Sequence, residues 1–195
     1  MGALVFNNEE FHKKVFFAAC SLGANPSPFD CYLALRGLKT LEIRVRTATR
    51  NAYHLAHYLE NHPHVESIIY PGLKSNKYHE VAKKQMRGFG GMFSFRIKGG
   101  REQASKFLKN CKVFTLAESL GGVESLAQVP ALMTHANVPA EVRDKLGITE
   151  NLLRMSVGIE DLDDLINDVE ESLQVSQKWS IINIDSSIHY DIDQM

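Results

Sequence analysis

LLRMSVGIEDLDDLINDVEESL, residues 152–173, changes its hydrophobic period partway along. In its first half, Leu153 and Met155 alternate with Arg154, which is the period of a β-strand. From residue 161 onward the apolar residues recur every three or four positions behind an acidic first turn, which is typical of an amphipathic helix. The stretch therefore predicts a strand at 152–157 followed by a helix at 161–173.

The region before this stretch repeats the same alternation of strands and helices. Phe93, Phe95 and Ile97 alternate with polar or smaller neighbours and predict a strand at 92–97. Other elements are predicted from their periods: a strand at 65–70, a helix reaching 86, a helix at 101–110 and a strand at 112–117. We interpret the whole as an α/β domain in which helices cover a sheet.

The first third of the chain predicts a short buried strand at 2–6 and a helix at 11–22. Ser27 and Asp30 flank Pro28 in the pattern of a helix start, and Pro63 ends the segment. An apolar stripe follows at alternating spacings of three and four, comprising Leu38, Leu41, Val45, Ala48, Ala52, Leu55 and Leu59. It predicts one long helix, or a pair broken near Gly37, that packs against a neighbouring domain or subunit.

Composition excludes several classes of function. The 22 Lys and Arg residues nearly balance 23 Asp and Glu, so no strong field favours nucleic acid or an anionic membrane. No uninterrupted apolar run is long enough to span a bilayer. The odd number of widely spaced cysteines, Cys20, Cys31 and Cys111, suits small buried thiols better than a disulfide framework. We expect a cytoplasmic protein.

Two stretches suggest common binding motifs but lack the residue spacing that those motifs need. The glycines at 88–91 lack the dinucleotide-binding pattern and precede a strand. His54, His57, His62 and His64 lie close in sequence, but no cysteine or carboxylate is spaced to complete a metal site. We therefore expect solvated histidines and no metal centre.

Two stretches carry the candidate chemistry. Residues 118–137 predict a long, relatively apolar loop with Gly121 and Gly122, where a backbone can approach a ligand closely. Arg154 lies on the face of its strand opposite Leu153 and Met155, so it needs an anionic partner. The residues by themselves favour an ion pair with a carboxylate of the same chain, and a bound anion is the alternative.

The resemblance to a known family decides between these alternatives. Six motifs resemble the cystathionine gamma-lyase family in order and spacing: GANPSPFDCYL from 23, RGLKTL from 36, IYPGL from 69, FTLAESLGG from 114, MTHA from 133 and RMSVGIED from 154. The similarity covers residues 1–173. It implies the small C-terminal α/β domain of a fold-type I pyridoxal-phosphate (PLP) enzyme at 64–173. It further implies a long connecting helix at 27–63, a remnant of the larger PLP-binding domain with one of its strands at 1–26, and an unassigned tail at 174–195.

The same resemblance implies functions for three residues. Arg154 is expected to bind the α-carboxylate of the substrate, and Ser119 to assist through its backbone. Glu118 is expected to bind the distal ammonium of cystathionine. The cofactor is expected to be PLP, but its lysine would lie in a Ser-x-Thr-Lys segment that precedes residue 2, and Lys39 does not replace it. We therefore expect no catalytic or cofactor-binding residue in this chain and no activity from it alone.

The implied reaction is cleavage of L-cystathionine to L-cysteine, 2-oxobutanoate and ammonia. Three hypotheses remain open. The chain is the substrate-recognition half of such a lyase, or a non-catalytic module that assembles with full-length subunits of a homotetramer, or part of a cystathionine gamma-synthase. An amino-acid substrate and a homo-oligomer or full-length partner are the interactions that the resemblance implies.

Overall fold

The computed structural model describes residues 2–178, which form two compact units, one ending at Thr47 and the other beginning at Ala48. Residues 174–177 of the tail expected at 174–195 belong to the helix Leu162–Gln177, and residues 179–195 lie outside the described part. No helix within residues 2–178 combines the length and apolarity needed to cross a membrane. The segment boundaries at 26 and 63 stay predictions.

The first unit contains helices α1 (Glu9–Leu22), α2 (Pro28–Leu38) and the start of α3 (Leu41–Glu60). Asn8 caps α1 through the Phe11 N–H at 2.8 Å, and Gly23 ends it at a φ of 65°. The Ser27 hydroxyl caps α2 by accepting from the Asp30 N–H at 3.1 Å, so the helix start predicted at Pro28 is confirmed.

Two expectations for this region can be compared with the structure. The pair of helices broken near Gly37, one of the two alternatives, is confirmed: α2 and α3 are separated at residues 39–40, where Arg44 donates to the Gly37 carbonyl at 2.9 Å, so the connecting helix at 27–63 is not continuous. The strand expected at 2–6 does not form: Leu4 and Val5 are exposed, and no described strand pairs with them. A single strand leaves its backbone hydrogen bonds unmade and therefore has no ladder to stabilise it.

The second unit is built on a five-stranded mixed sheet. Its strands are β1 (Val65–Ile69), β2 (Met92–Ile97), β3 (Thr115–Leu116), β4 (Leu126–Gln128) and β5 (Leu152–Ser156). Their spatial order is β1-β2-β5-β4-β3, with antiparallel neighbours except for the parallel pair β3–β4. The remaining helices are α4 (His79–Gln85), α5 (Arg101–Asn110), α6 (Ala140–Lys145) and α7 (Leu162–Gln177), and a 3-10 turn covers Pro130–Leu132. The α/β class is confirmed.

The core lies on one face of this sheet. Phe93, Phe95 and Ile97 of β2 are buried, as their alternation predicts, and Phe95 packs edge to face on Phe107 of α5 with ring centroids 5.6 Å apart. Leu153 of β5 joins the same cluster, as do Ala52, Leu55 and Leu59 from the second half of α3. The buried half of the apolar stripe therefore belongs to this core, whereas Leu38, Leu41 and Val45 are exposed.

The region between residues 112 and 137 differs from expectation. The strand predicted at 112–117 shortens to β3 because the carboxylate of Asp168 on α7 accepts the N–H groups of residues 112, 113 and 114 at 2.7, 3.0 and 3.0 Å. The long loop expected at 118–137 contains β4 and the 3-10 turn. Three residues are too short a strand to produce a period, so the sequence does not show β4.

The cysteines are free thiols, but Cys20 is exposed and Cys31 and Cys111 are only half-buried, so the expectation of buried thiols is wrong for Cys20. Burial raises the pKa of the Cys111 thiol to about 12. A thiol with such a pKa remains protonated at neutral pH, so Cys111 is no nucleophile.

Candidate functional site on strand β5

Arg154 lies in the middle of the sheet. Its backbone pairs with Ser94 of β2 on one side and with Gln128 of β4 on the other. Because side chains alternate along a strand, Arg154 points away from the core that buries Leu153 and Met155. It is half-buried on the face of the sheet opposite that core.

The partners of this guanidinium are uncharged. Arg154 Nη2 donates to the Glu118 carbonyl at 2.8 Å. Because a guanidinium has only donors, the Gln128 amide presents its oxygen to it, 2.7 Å from Nε. Within residues 2–178 Arg154 takes part in no ion pair with a carboxylate. The expected intramolecular ion pair is therefore not found, and the positive charge is left uncompensated by the described residues.

The loop that follows β3 crosses the end of β5 beside this arginine. Gly121 donates its N–H to the Ser156 hydroxyl at 2.9 Å, and Gly121 has a φ of 76°, which only glycine adopts readily. Further along, the Ile159 N–H donates to the Val123 carbonyl at 3.0 Å. The loop is thereby attached at two points, through Gly121 to the last residue of β5 and through Val123 to Ile159 just beyond that strand.

A buried polar network fixes the far end of the same loop. The Glu160 carboxylate accepts from the Ser125 N–H at 2.5 Å and from the Ser125 hydroxyl at 2.8 Å, and that hydroxyl accepts from the Gly158 N–H at 2.8 Å. Asn51 of α3 donates to the Gly158 and Glu160 carbonyls at 3.3 and 2.9 Å. The roles of Asn51, Ser125 and Glu160 were not predicted from the sequence, although the glycine and glutamate that follow the Arg154 strand belong to the motif from residue 154.

Glu118 and Ser119, the other two predicted site residues, lie on this loop and are exposed. Glu118 contacts Arg154 through its backbone carbonyl, so the structure brings these two residues together. Among the described hydrogen bonds and ion pairs, neither the Glu118 carboxylate nor the Ser119 hydroxyl takes part. Both groups are therefore free to meet a ligand.

The expectation of four solvated histidines is wrong for His62. Its side chain is only 7% exposed and lies 2.8 Å from Glu170 of α7. Glu170 also accepts from Tyr58 at 2.5 Å, and burial and this carboxylate together raise the pKa of Tyr58 to about 12. Within residues 2–178 no cluster of three His, Cys, Asp or Glu side chains suits a metal ion.

A cavity of about 660 Å³ in the second unit is separate from Arg154. It lies among α3, α4 and the loop that precedes β2, with Tyr53, His57, His79 and Phe89 in its wall. None of Glu118, Ser119 and Arg154 lines it. The face of the sheet that carries Arg154, not this cavity, is therefore the candidate functional site.

Comparison with known proteins gives one consistent result. A family model described as Cys/Met metabolism PLP-dependent enzyme matches residues 1–174. The chain is 56% identical over 173 residues to a cystathionine gamma-lyase of Dictyostelium discoideum, covering 89% of this chain and 45% of that protein. It is 51% identical over 176 residues to the cystathionine gamma-lyase of Mus musculus, covering 90% and 44% respectively.

Solved structures agree with these relatives. The crystal structure of cystathionine gamma-lyase from yeast matches with a TM-score of 0.83 and 47% identity, over 89% of this chain and 45% of that chain. The cystathionine gamma-synthase from Xanthomonas oryzae pv. oryzae in complex with cystathionine matches with a TM-score of 0.82 and 44% identity, over 88% and 44%. The chain thus spans a little under half the length of the relatives that it matches.

Proposed function

Because the chain belongs to the Cys/Met metabolism PLP-dependent enzyme family, we propose that it forms the substrate-carboxylate site of a carbon–sulfur lyase. The proposed substrate of the complete enzyme is L-cystathionine, and the products are L-cysteine, 2-oxobutanoate and ammonia. The observation that carries the proposal is the half-buried Arg154, whose described partners are all neutral.

The chemistry of Arg154 supports binding of a carboxylate. One N–H of Nη2 donates to the Glu118 carbonyl, so the N–H groups of Nη1 and the second one of Nη2 can donate to both oxygens of a carboxylate. Such a charge-assisted pair stabilises a complex by roughly 1.5–3 kcal/mol. Two parallel hydrogen bonds also fix the direction of the α-carbon, which orients it for reaction.

Glu118 is the proposed determinant of substrate choice. Its carbonyl is held by Arg154 while its carboxylate is exposed at the mouth of the same site. A carboxylate in that position attracts the ammonium group at the distal end of cystathionine. Ser119, the next residue, is proposed to support the bound substrate through its backbone.

The described residues around Arg154 do not fit the cofactor itself. No lysine is among its neighbours, and the polar contacts of the site come from one amide, one hydroxyl and backbone groups. PLP, which this family uses, supplies electron withdrawal from the α-carbon when bound.

A second candidate function is assembly with full-length subunits. The observation that favours it is the first unit, in which no described residue is buried. Its large exposed side chains include Phe11, Phe16, Phe17, Leu22, Phe29, Leu35 and Leu38. Apolar surface of this extent is typical of an interface with another chain or domain. A cystathionine gamma-synthase is a third candidate, since a solved synthase matches as closely in fold as the yeast lyase.

Absorbance spectroscopy and ligand binding test the proposal together. The purified chain is mixed with PLP, and a visible band that disappears on adding L-cystathionine would contradict our expectation that the chain has no cofactor site. L-cystathionine is then titrated into the 15N-labelled chain and followed by NMR. We expect weak binding that Arg154→Met lowers by about tenfold or more, as the loss of a charge-assisted pair predicts.

Arg101→Met is the matched control. Arg101 is exposed on α5, so this substitution removes the same charge at a different place on the second unit. Equal weakening by both variants would show a nonspecific charge effect and reject the site. Co-purification with a full-length cystathionine gamma-lyase subunit tests the assembly alternative.

A further inference from the structure

Gln128 contacts the guanidinium of Arg154 with its side-chain amide. It is the last residue of β4, its backbone pairs with Arg154 across the sheet, and its side chain is 1% exposed. A buried amide needs a partner, because an unpaired buried polar group costs about 1–3 kcal/mol. Arg154 provides that partner.

The distances describe how the two groups meet. The amide oxygen lies 2.7 Å from Nε, 2.7 Å from Nη2 and 3.1 Å from Nη1. A point at similar distances from all three nitrogens of a planar group lies over its face and not in its plane. The Gln128 oxygen therefore contacts the face of the guanidinium, and the outer edge of the fork stays open.

This arrangement allows the arginine to be held in place without blocking the ligand. A long arginine side chain loses rotamer freedom when it binds, and an acceptor that holds it in place beforehand reduces that cost. If the holding group occupied the outer edge of the fork, it would compete with the ligand. An amide oxygen over the face, together with the Glu118 carbonyl on Nη2, holds the cation while its outer edge remains free.

We propose that Gln128 is a positioning residue, which orients the guanidinium of Arg154 toward the carboxylate of the amino-acid substrate. The inference rests on the proposed function, because it assumes that Arg154 binds that carboxylate. A residue of β4 thus fixes the direction in which the arginine of β5 points.

Two substitutions separate positioning from packing. Gln128→Met retains the length of the side chain but removes the acceptor, and Gln128→Glu retains the length and an acceptor oxygen. In the 15N-labelled full chain, the Arg154 Nε–H signal, assigned with Arg154→Met, reports how well the guanidinium is held. L-cystathionine is titrated while this signal is followed.

In Gln128→Met we expect the Arg154 Nε–H to exchange with water at least several-fold faster than in the unsubstituted chain. We expect the dissociation constant for L-cystathionine to rise about three- to tenfold, because the guanidinium loses the amide dipole that holds it from one face and must be ordered on binding. Gln128→Glu should restore both properties to within about twofold. Gln85→Met, at an exposed position on α4, is the matched control and should change neither.

The outcomes distinguish the two proposals. If the unsubstituted chain binds L-cystathionine and Gln128→Met binds it equally well, the positioning inference is wrong and the proposed function stands. If the unsubstituted chain shows no binding, the carboxylate site fails and the inference fails with it. Gln128→Leu takes the place of the methionine variant if urea unfolding shows that the latter does not fold.

Discussion

Three residues, Arg154, Gln128 and Glu118, meet at the centre of the candidate site. Arg154 provides the charge, Gln128 and the Glu118 carbonyl hold it, and neither holding group carries a charge at that contact. Elsewhere the chain uses charged acceptors for structure, as Asp168 does when it accepts three backbone N–H groups. These neutral contacts hold the guanidinium of Arg154 without supplying a counter-charge.

Glu170 leads to a pH-dependent prediction. Its hydrogen bond from Tyr58, with further donors in Gln174 and His62, lowers the pKa of the Glu170 carboxyl despite partial burial. A carboxyl with a lowered folded-state pKa stabilises the fold at pH values above its ordinary pKa of 4.5. That stabilisation is lost as the pH falls through the folded-state pKa.

Glu170→Gln should therefore lower the free energy of unfolding at pH 6 by under about 1 kcal/mol, a small effect because the side chain is partly exposed. The difference from the unsubstituted chain should shrink at pH 3.5. Urea unfolding at the two pH values measures it, with exposed Glu80→Gln on α4 as the control. A difference that grows toward acid pH would contradict the predicted sign.

At the scale of elements, the site depends on the junction between the end of β5 and the loop at 118–125. Gly158 follows β5 where the loop crosses it, and a Cβ there would lie 2.8 Å from the backbone carbon of Glu124 and closer still to the Val123 carbonyl oxygen. Backbone cannot move aside as a flexible side chain can. Only glycine therefore allows the loop to approach β5 closely.

Gly158→Ala should lower the free energy of unfolding by about 2 kcal/mol or more, since it forces extra volume into a packed contact. It should also break the hydrogen bond from the Ile159 N–H to the Val123 carbonyl, which amide exchange detects. Gly88→Ala is the matched control, because its Cβ would meet only a Thr49 methyl at 3.6 Å. Equal stability of the two variants would disprove the steric argument.

At the scale of the whole molecule, the two units differ in how they bury apolar surface. The second unit has a packed core of aromatic and aliphatic side chains, whereas no described residue of the first is buried. Phe17 and Leu22 of α1 are 74% and 81% exposed. Because exposed apolar surface of this size is unfavourable in water, we expect the chain to associate with itself or with related subunits.

Sedimentation velocity at micromolar concentrations should show self-association of the purified chain. Phe17→Glu should shift the distribution toward monomer by placing a charge in the contact, whereas Lys13→Gln, at another exposed position on α1, should not. A chain that is monomeric without any substitution would rule out this surface as a self-association site.

Long periodic elements could be predicted from the sequence because a period depends on which side chains face the core. Strand β2, helix α5 and the helix that follows β5 were predicted at or near their observed bounds. Arg154 was predicted to face away from the core for the same reason. The resemblance predicted the family, which the comparisons confirm.

Features that depend on long-range contacts could not be predicted in this way. Strand β4 has only three residues and exists because β5 and β3 pair with it from positions distant in sequence. The strand expected at 2–6 does not form, since no strand of the described residues pairs with it. The local period of apolar residues reflects which side chains are buried. It does not show which backbone groups form hydrogen bonds with each other.

The sequence by itself thus determined the α/β class, the orientation of Arg154 and the family. Only the tertiary structure decided which residues surround that arginine: Gln128 lies 26 positions before it and the Glu118 carbonyl 36 positions before it, and both reach it through strand pairing and loop closure. The sequence favoured an ion pair for Arg154, and folding supplied neutral partners instead. Burial patterns are local in sequence, whereas hydrogen-bond partners across a sheet are set by strand order and register.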